Sequence, residues 1–254
     1  IGIELLLGAI CYGASQVAVV SSGREAESYG AALGEQMSHA ETILNALGYA
    51  GRHFELIRAE GAAELERALW AMQPAKGVPT PASFNLAADK RSALDFELDH
   101  LARHAPAPQE RIALARGAPF GALALDKQSC TLCKACIGAC PEAALQDAPE
   151  TPALRFIERN CVQCGLCADT CPEDSISLVP RLLLTPQAKQ AVTLNEAEPY
   201  HCVRCGKPFG TRQLIDSMLG KLAAHSMFAG GGALRRLQMC ADCRVIDLME
   251  GKDE

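Results

Sequence analysis

Residues 130–141, CTLCKACIGACP, and residues 161–172, CVQCGLCADTCP, decide how this chain is read. Both follow C-x2-C-x2-C-x3-C-P. Thiolates at that spacing form a tight loop in which three sulfurs face one iron–sulfur cubane, while the fourth cysteine turns away and reaches a second cluster. The reading is therefore two interleaved sets. Cys130, Cys133, Cys136 and Cys171 serve one [4Fe–4S] cluster; Cys161, Cys164, Cys167 and Cys140 serve the other. Pro141 and Pro172 end each loop and send the chain away. Gly138 and Gly165 are expected to let the backbone come close, so that amides point at cluster sulfurs. Zinc fits this pattern badly, because it takes four ligands of its own at each site.

Working outward, the 254 residues contain thirteen cysteines. In a short secreted chain that count would suggest a disulfide scaffold. Here the chain is long, twelve of the thirteen fall in short-spaced groups, and no signal-peptide pattern is visible, all of which points to a reducing cytoplasm. The opening IGIELLLGAI is too short for a membrane span and contains Glu4. Because the sequence opens at Ile1 without Met, it reads as a fragment of a longer polypeptide. Hydrophobic residues make up 49% and aromatics only 5%, so the cores must be aliphatic. The net charge of −6 argues against a nucleic-acid partner for the whole chain. It is unevenly spread: −4 over residues 1–120, −4 over 121–180 and +2 over 181–254.

The cysteine loops are framed by strand-like runs: GALALD before the first, ALRFIE before the second and SISLV after it. With these flanks, residues 119–180 resemble the bacterial-type two-cluster ferredoxins, which implies a ferredoxin-like α+β module with pseudo-twofold symmetry. The 20 residues between Cys140 and Cys161 include DAPETP, a longer loop that should alter the surface and not the ligation.

Residues 1–73 read as a partial α/β domain: helix 2–13, strand 16–22, helix 25–47, strand 53–59 and helix 62–72. Two strands are too few for an independent sheet, so further strands are expected before Ile1. The order resembles the small iron–sulfur (delta) subunit of methyl-viologen-reducing hydrogenases. Those subunits carry cysteines after the first strand, where this chain has Ser21, Ser22 and Gly23. The turn SSGREAES leads into a helix N-terminus, where an anion could bind, but it lacks a GxGxxG pattern. Cys11 reads as a core thiol. Residues 74–118 form a linker, with Pro-rich QPAKGVPTPAS followed by an amphipathic helix at 89–105.

Residues 181–254 use a different cysteine grammar. Cys202 and Cys205 form one CxxC pair and Cys240 and Cys243 another. Two such pairs make two corners of a tetrahedron, the arrangement of a structural Zn2+ site. In CVRCGK, Gly206 is expected to be left-handed, freeing amides for the thiolates. CADCRVIDLM should be a turn opening a helix whose N-terminal amides favour thiolate. Between them, Leu214, Ile215, Met218, Leu219 and Leu222 form a helical stripe, and Gly230–Gly232 return the chain. Residues 198–250 resemble zinc-ribbon or treble-clef modules. A third [4Fe–4S] cluster is the rival occupant, and His201 could replace a cysteine.

No nucleophile elbow, P-loop or flavin fingerprint is present, and His100, His104 and His201 read as solvated or half-buried histidines. The expectation is an electron-transfer protein with two [4Fe–4S] clusters and one Zn2+. The runs PFGALALDKQSCTLCKACIGACPEAAL and FIERNCVQCGLCADTCPE resemble cytoplasmic ferredoxins associated with molybdenum- or tungsten-dependent formate dehydrogenases, with hydrogenase-type polyferredoxins as the alternative. That resemblance implies a subunit docking on a larger oxidoreductase. Two other classes stay open. One is the iron–sulfur portion of a catalytic subunit. The other is a redox-sensing regulator that binds nucleic acid through the C-terminal module.

Overall fold

A computed structural model describes residues 1–73, 75–148, 151–228 and 232–251. The chain divides into two compact units. The first contains residues 1–121 and 180–188, and the second residues 122–179 and 189–254.

The first unit opens with helix α1 (Ile3–Cys11), then strand β1 (Val17–Ser21), helix α2 (Glu27–Ala46), strand β2 (Phe54–Arg58) and helix α3 (Ala62–Ala71). β1 and β2 pair in parallel, from Val17 opposite Phe54 to Ser21 opposite Arg58, as expected when a helix carries the chain across. Helix α4 (Lys90–Arg103) follows, capped by Asp89, whose carboxylate accepts from the Ser92 N–H at 2.8 Å. Short strand β3 (Arg111–Ala113) pairs antiparallel with residues 181–183. Pro74, within the proline-rich run, lies outside the described residues.

One aliphatic core holds this unit together. Leu6, Leu7 and Ile10 of α1, Ile43 and Leu44 of α2, and Leu98 and Leu101 of α4 are at most 1% exposed. Truncating such a side chain to Ala costs about 2–5 kcal/mol. Two polar devices fix its geometry. The Glu41 carboxylate on α2 accepts from the His53 N–H at 2.9 Å and bonds its ring Nδ1 at 2.8 Å, which ties the helix to the start of β2. Tyr49 Oη donates to the Leu101 carbonyl at 2.9 Å. By contrast, α3 buries no residue, and Trp70 is 84% exposed.

The second unit begins in β4 (Gly121–Leu125), which is hydrogen-bonded to β7 (Ile176–Leu183). Between them lie α5 (Ala135–Ala139), β5 (Leu145–Asp147), β6 (Ala153–Phe156) and α6 (Leu166–Asp169). β8 (Val192–Glu196) joins β5 and β6 in an antiparallel sheet ordered β5-β6-β8. Pro149 and Glu150, in the expected long loop, lie outside the described residues. An antiparallel hairpin of β9 (Pro199–His201) and β10 (Pro208–Thr211) follows. Helices α7 (Arg212–Leu222), α8 (Gly232–Leu237) and α9 (Ala241–Met249) complete the unit. Of the expected α7 stripe, Ile215 is buried, and Leu214, Met218, Leu219 and Leu222 are half-buried. Gly230 and Gly231 of the expected glycine return lie outside the described residues. No helix among the described residues is long and apolar enough to cross a membrane.

Candidate metal centres

The two cysteine loops repeat each other in backbone conformation as well as in sequence. Leu132 and Gln163 have φ of 54° and 55°, Lys134 and Gly165 of 64° and 86°, and Ala143 and Asp174 both of 49°. Each pair is 31 residues apart, the same offset as the cysteines. Left-handed backbone at non-glycine residues costs about 1–3 kcal/mol each and persists only where surrounding structure enforces it. Alternating handedness turns successive N–H groups inward, which makes a concavity suited to negative charge. Gly165 sits at such a turn. Gly138 does not: it lies within α5, and beyond its chain neighbours and its own helix backbone no described atom falls within 4 Å of where its Cβ would stand. Protein packing alone therefore places no demand for glycine at this position.

Two cavities lie beside these loops. Cys130, Cys133, Cys136 and Cys171 line one, together with Leu125, Leu154 and Ile176. Cys140, Cys161, Cys164 and Cys167 line the other, with Leu123, Phe156 and Leu178. Each cavity takes three cysteines from one motif and the fourth from the other. Exposure repeats too: the first and third cysteines of each motif are buried, the second is exposed and the fourth half-buried. Burial pushes the Cys136 thiol up to about 12, and the neighbouring Cys133, Cys130, Cys167 and Cys171 add to the effect. Burial likewise raises Cys167 to about 11, with Cys161 next in importance. Clustered buried thiols resist ionising unless a cation shares the site.

The donor set fits a cluster at each cavity. The Ser175 N–H donates to Cys171 Sγ at 3.4 Å, and Gln163 Nε2 donates to Cys161 Sγ at 3.3 Å. Thr131, 5% exposed, lines the first cavity, and its hydroxyl is buried with no partner among the described residues. The first loop is also held from outside. Asp126 accepts from the Gln128 N–H at 2.9 Å and from Ser129 Oγ at 2.8 Å, and Ser129 Oγ bonds Ser175 Oγ at 3.0 Å.

Residues 129–175 match the family model of the 4Fe-4S dicluster domain. This stretch of the chain is thus a ferredoxin-like iron–sulfur domain with at least one [4Fe–4S] site. No curated protein matches it. Other sequence motifs lie apart from the dicluster domain. Cys11, fully buried in the first unit, has its thiol pushed up by burial to about 12 and is inert. In the SSGREAES turn, the Glu25 carboxylate occupies the loop's own donors. It accepts from Ser21 Oγ at 2.7 Å and Ser22 Oγ at 3.1 Å, and the Ser21 bond leads in holding it down at about 2. His100 bonds the Thr80 carbonyl at 2.8 Å and packs against His104, both half-buried, and His201 is exposed.

The C-terminal cysteines are arranged differently from those of the dicluster domain. The Sγ atoms of Cys202, Cys205, Cys240 and Cys243 lie within 4.8 Å of one another, the one such group among the described residues. Cys205 and Cys240 are 3.7 Å apart. The β9–β10 hairpin presents the first pair. Gly206, left-handed at φ 73°, donates its N–H to the Cys202 carbonyl at 2.9 Å, and the Arg204 N–H reaches Cys202 Sγ at 3.4 Å. Cys240 stands at the N-cap of α9, which places Cys243 in its first turn. Met239, fully buried, packs beneath them. Burial raises the Cys202 thiol, but N–H groups of Cys205, Cys240 and Arg204 outweigh it and leave it at about 6. Cys243 is driven up to about 12, chiefly by its hydrogen bond with Cys205. A bound cation would stabilise all four sulfurs as thiolates.

Sequence reasoning missed what joins these two regions. Thr211 caps α7 by accepting from the Leu214 N–H at 3.1 Å, and its hydroxyl donates to the Thr131 carbonyl at 3.0 Å. Gln213 Nε2 donates to the Gln128 carbonyl at 2.6 Å, and Lys221 pairs with Glu173 at 2.7 Å. Helix α7 thereby grips the first cysteine loop and the segment after Cys171.

Proposed function

We propose that this chain relays single electrons through two [4Fe–4S] clusters. In this reading Cys130, Cys133, Cys136 and Cys171 hold one, and Cys161, Cys164, Cys167 and Cys140 hold the other. The observation that carries it is the pair of similar cavities, each lined by three cysteines of one motif and the last of the other. The clusters supply one-electron chemistry. The protein positions them, keeps water away with Leu125, Leu154, Phe156 and Ile176, and leaves Cys133 and Cys164 exposed as points of electron entry and exit. An anaerobic preparation should contain eight irons and eight sulfides per chain, and EPR of the reduced protein should show two interacting S = 1/2 centres. Only four irons after reconstitution would refute it.

Cys202, Cys205, Cys240 and Cys243 are assigned one structural Zn2+ in a zinc-ribbon-like module. Zn–S bonds of about 2.3 Å in a tetrahedron set sulfurs about 3.8 Å apart, and the Cys205–Cys240 separation of 3.7 Å supports that spacing. A cubane, with four irons between its thiolates, needs a wider set. X-ray absorption at the zinc and iron edges decides between them. The partner proposed from the motif resemblance is a larger oxidoreductase of formate dehydrogenase or hydrogenase type, in the cytoplasm. Co-purification of the full-length protein from its native host tests this, and recovery without any oxidoreductase would count against it.

A further inference from the structure

We infer that Gln163 tunes the potential of the cluster assigned to Cys140, Cys161, Cys164 and Cys167, an inference that rests on the two-cluster reading above. Gln163 is the second residue between the first two cysteines of its motif, and Leu132 stands at the matching place in the first loop. The two backbones are nearly identical there, at φ 55° and 54°. The side chains diverge. Leu132 is 4% exposed and packs in the apolar core of the unit. Gln163 Nε2 instead donates to the Ala122 carbonyl at 3.0 Å and to Cys161 Sγ at 3.3 Å.

Those two partners fix the amide. A carbonyl oxygen and a thiolate are both acceptors, so only the NH2 end can face them. Oε1 is left buried with no partner among the described residues, and pairing both N–H bonds offsets that cost. Ala122 lies on β4, so the strand holds the donor in place before any electron arrives. Reduction adds one electron, and the negative charge spreads over the cluster and its thiolates. A fixed donor stabilises the more negative state more strongly, which raises the potential. The first site has the Ser175 N–H on Cys171 but only a hydrocarbon where Gln163 stands. Removing the Gln163 amide should therefore move one potential and leave the other.

The test uses the full chain with Gln163→Leu, which copies the first loop, and Gln163→Met, which keeps length without donors. Iron content is measured first, then both midpoint potentials by dithionite titration followed by EPR. Eight irons in the wild type establish the two-cluster reading independently of the tuning claim, and fewer would sink that reading instead. The expected result is eight irons in a variant and one midpoint shifted negative. At a fixed poise, the reduced-to-oxidised ratio of that cluster should fall at least roughly threefold, about 28 mV for a one-electron couple. Two unchanged midpoints, or two that shift equally, would overturn the inference. Loss of iron in both variants would assign Gln163 to assembly and overturn it equally.

Discussion

The dicluster domain and the C-terminal module draw on the same side chain and arrange it in opposite ways. In the first, cysteines surround two apolar hollows, three from one motif and one from the other. In the second, four sulfurs crowd within 4.8 Å of one another. How much metal a thiolate set can hold is written in the space between the sulfurs, and local chain geometry sets that space. Three closely spaced cysteines on a loop of alternating handedness line a cavity and need a distant fourth. Two CxxC pairs, one on a hairpin and one at a helix start, meet face to face.

The largest effect expected from this contrast comes from the fourth cysteines. Cys171→Ser should remove the cluster whose other ligands all belong to the first motif, and Cys140→Ser the one built on the second. Iron should fall from about eight to about four per chain in each. If Cys171→Ser instead spares the site of Cys130, Cys133 and Cys136, the crossing of ligands is wrong.

Next in size is loss of the compact site. Cys243→Ser should abolish zinc while leaving iron near eight. Structural zinc binding contributes about 10–16 kcal/mol in isolated peptides, so the module should melt early and become sensitive to protease. Iron that falls together with the metal at Cys202, Cys205 and Cys240 would erase the distinction between the two regions.

A third test comes from a buried acid that has no metal ligand role. Glu97 on α4 is fully buried, with both carboxylate oxygens unpartnered among the described residues. Burial, with Glu4 nearby adding repulsion, pushes it up to about 8 from 4.5. Gly8 leaves it room, since a Cβ there would stand 2.9 Å from Oε1. The folded unit therefore binds a proton that the unfolded chain releases near pH 4.5. Stability is fully present below that pH and is lost as pH rises through 8, on the order of a few kcal/mol in all. Glu97→Gln should flatten the dependence, giving a melting temperature above wild type at pH 9 and little changed at pH 5. An equally steep pH profile in the variant would refute this account. Where the cysteine sites would settle buried negative charge with metal, Glu97 settles it with a proton.

The smallest effect concerns the grip between the regions. Thr211→Val removes both the α7 cap and the bond to the Thr131 carbonyl, costing about 1–2 kcal/mol. Chelator should then strip iron faster from the first cluster than from the second. Equal rates would show that the grip has no bearing on cluster retention.

Much of this was legible in sequence because it is local. The cysteine spacings, the flanking strands and the helix opened by Cys240 all follow from neighbours a few residues apart. What escaped depends on distant partners. Gln163 acts through Ala122 on another strand, and Thr211 through Thr131, which lies 80 residues away. The left-handed Leu132, Ala143, Gln163 and Asp174 are not glycines, so composition gave no warning of them. Glu97 did leave a signal: it falls at helical spacing between Leu94, Leu98 and Leu101, on a face that is otherwise apolar. A carboxylate in that phase must be buried, paired or protonated.

The crossing of the fourth cysteines also bears on how the protein is made. Cys167 leaves the ribosome 37 residues after Cys130 and Cys171 41 residues after it, and until they do neither cavity has its four cysteines. Metal delivered to a nascent chain would find three ligands and an open side. Maturation must therefore wait for the whole domain, and both sites become fillable almost at once. For the same reason, a gene split between the motifs would encode two peptides that each carry a complete signature, and neither would carry a complete site.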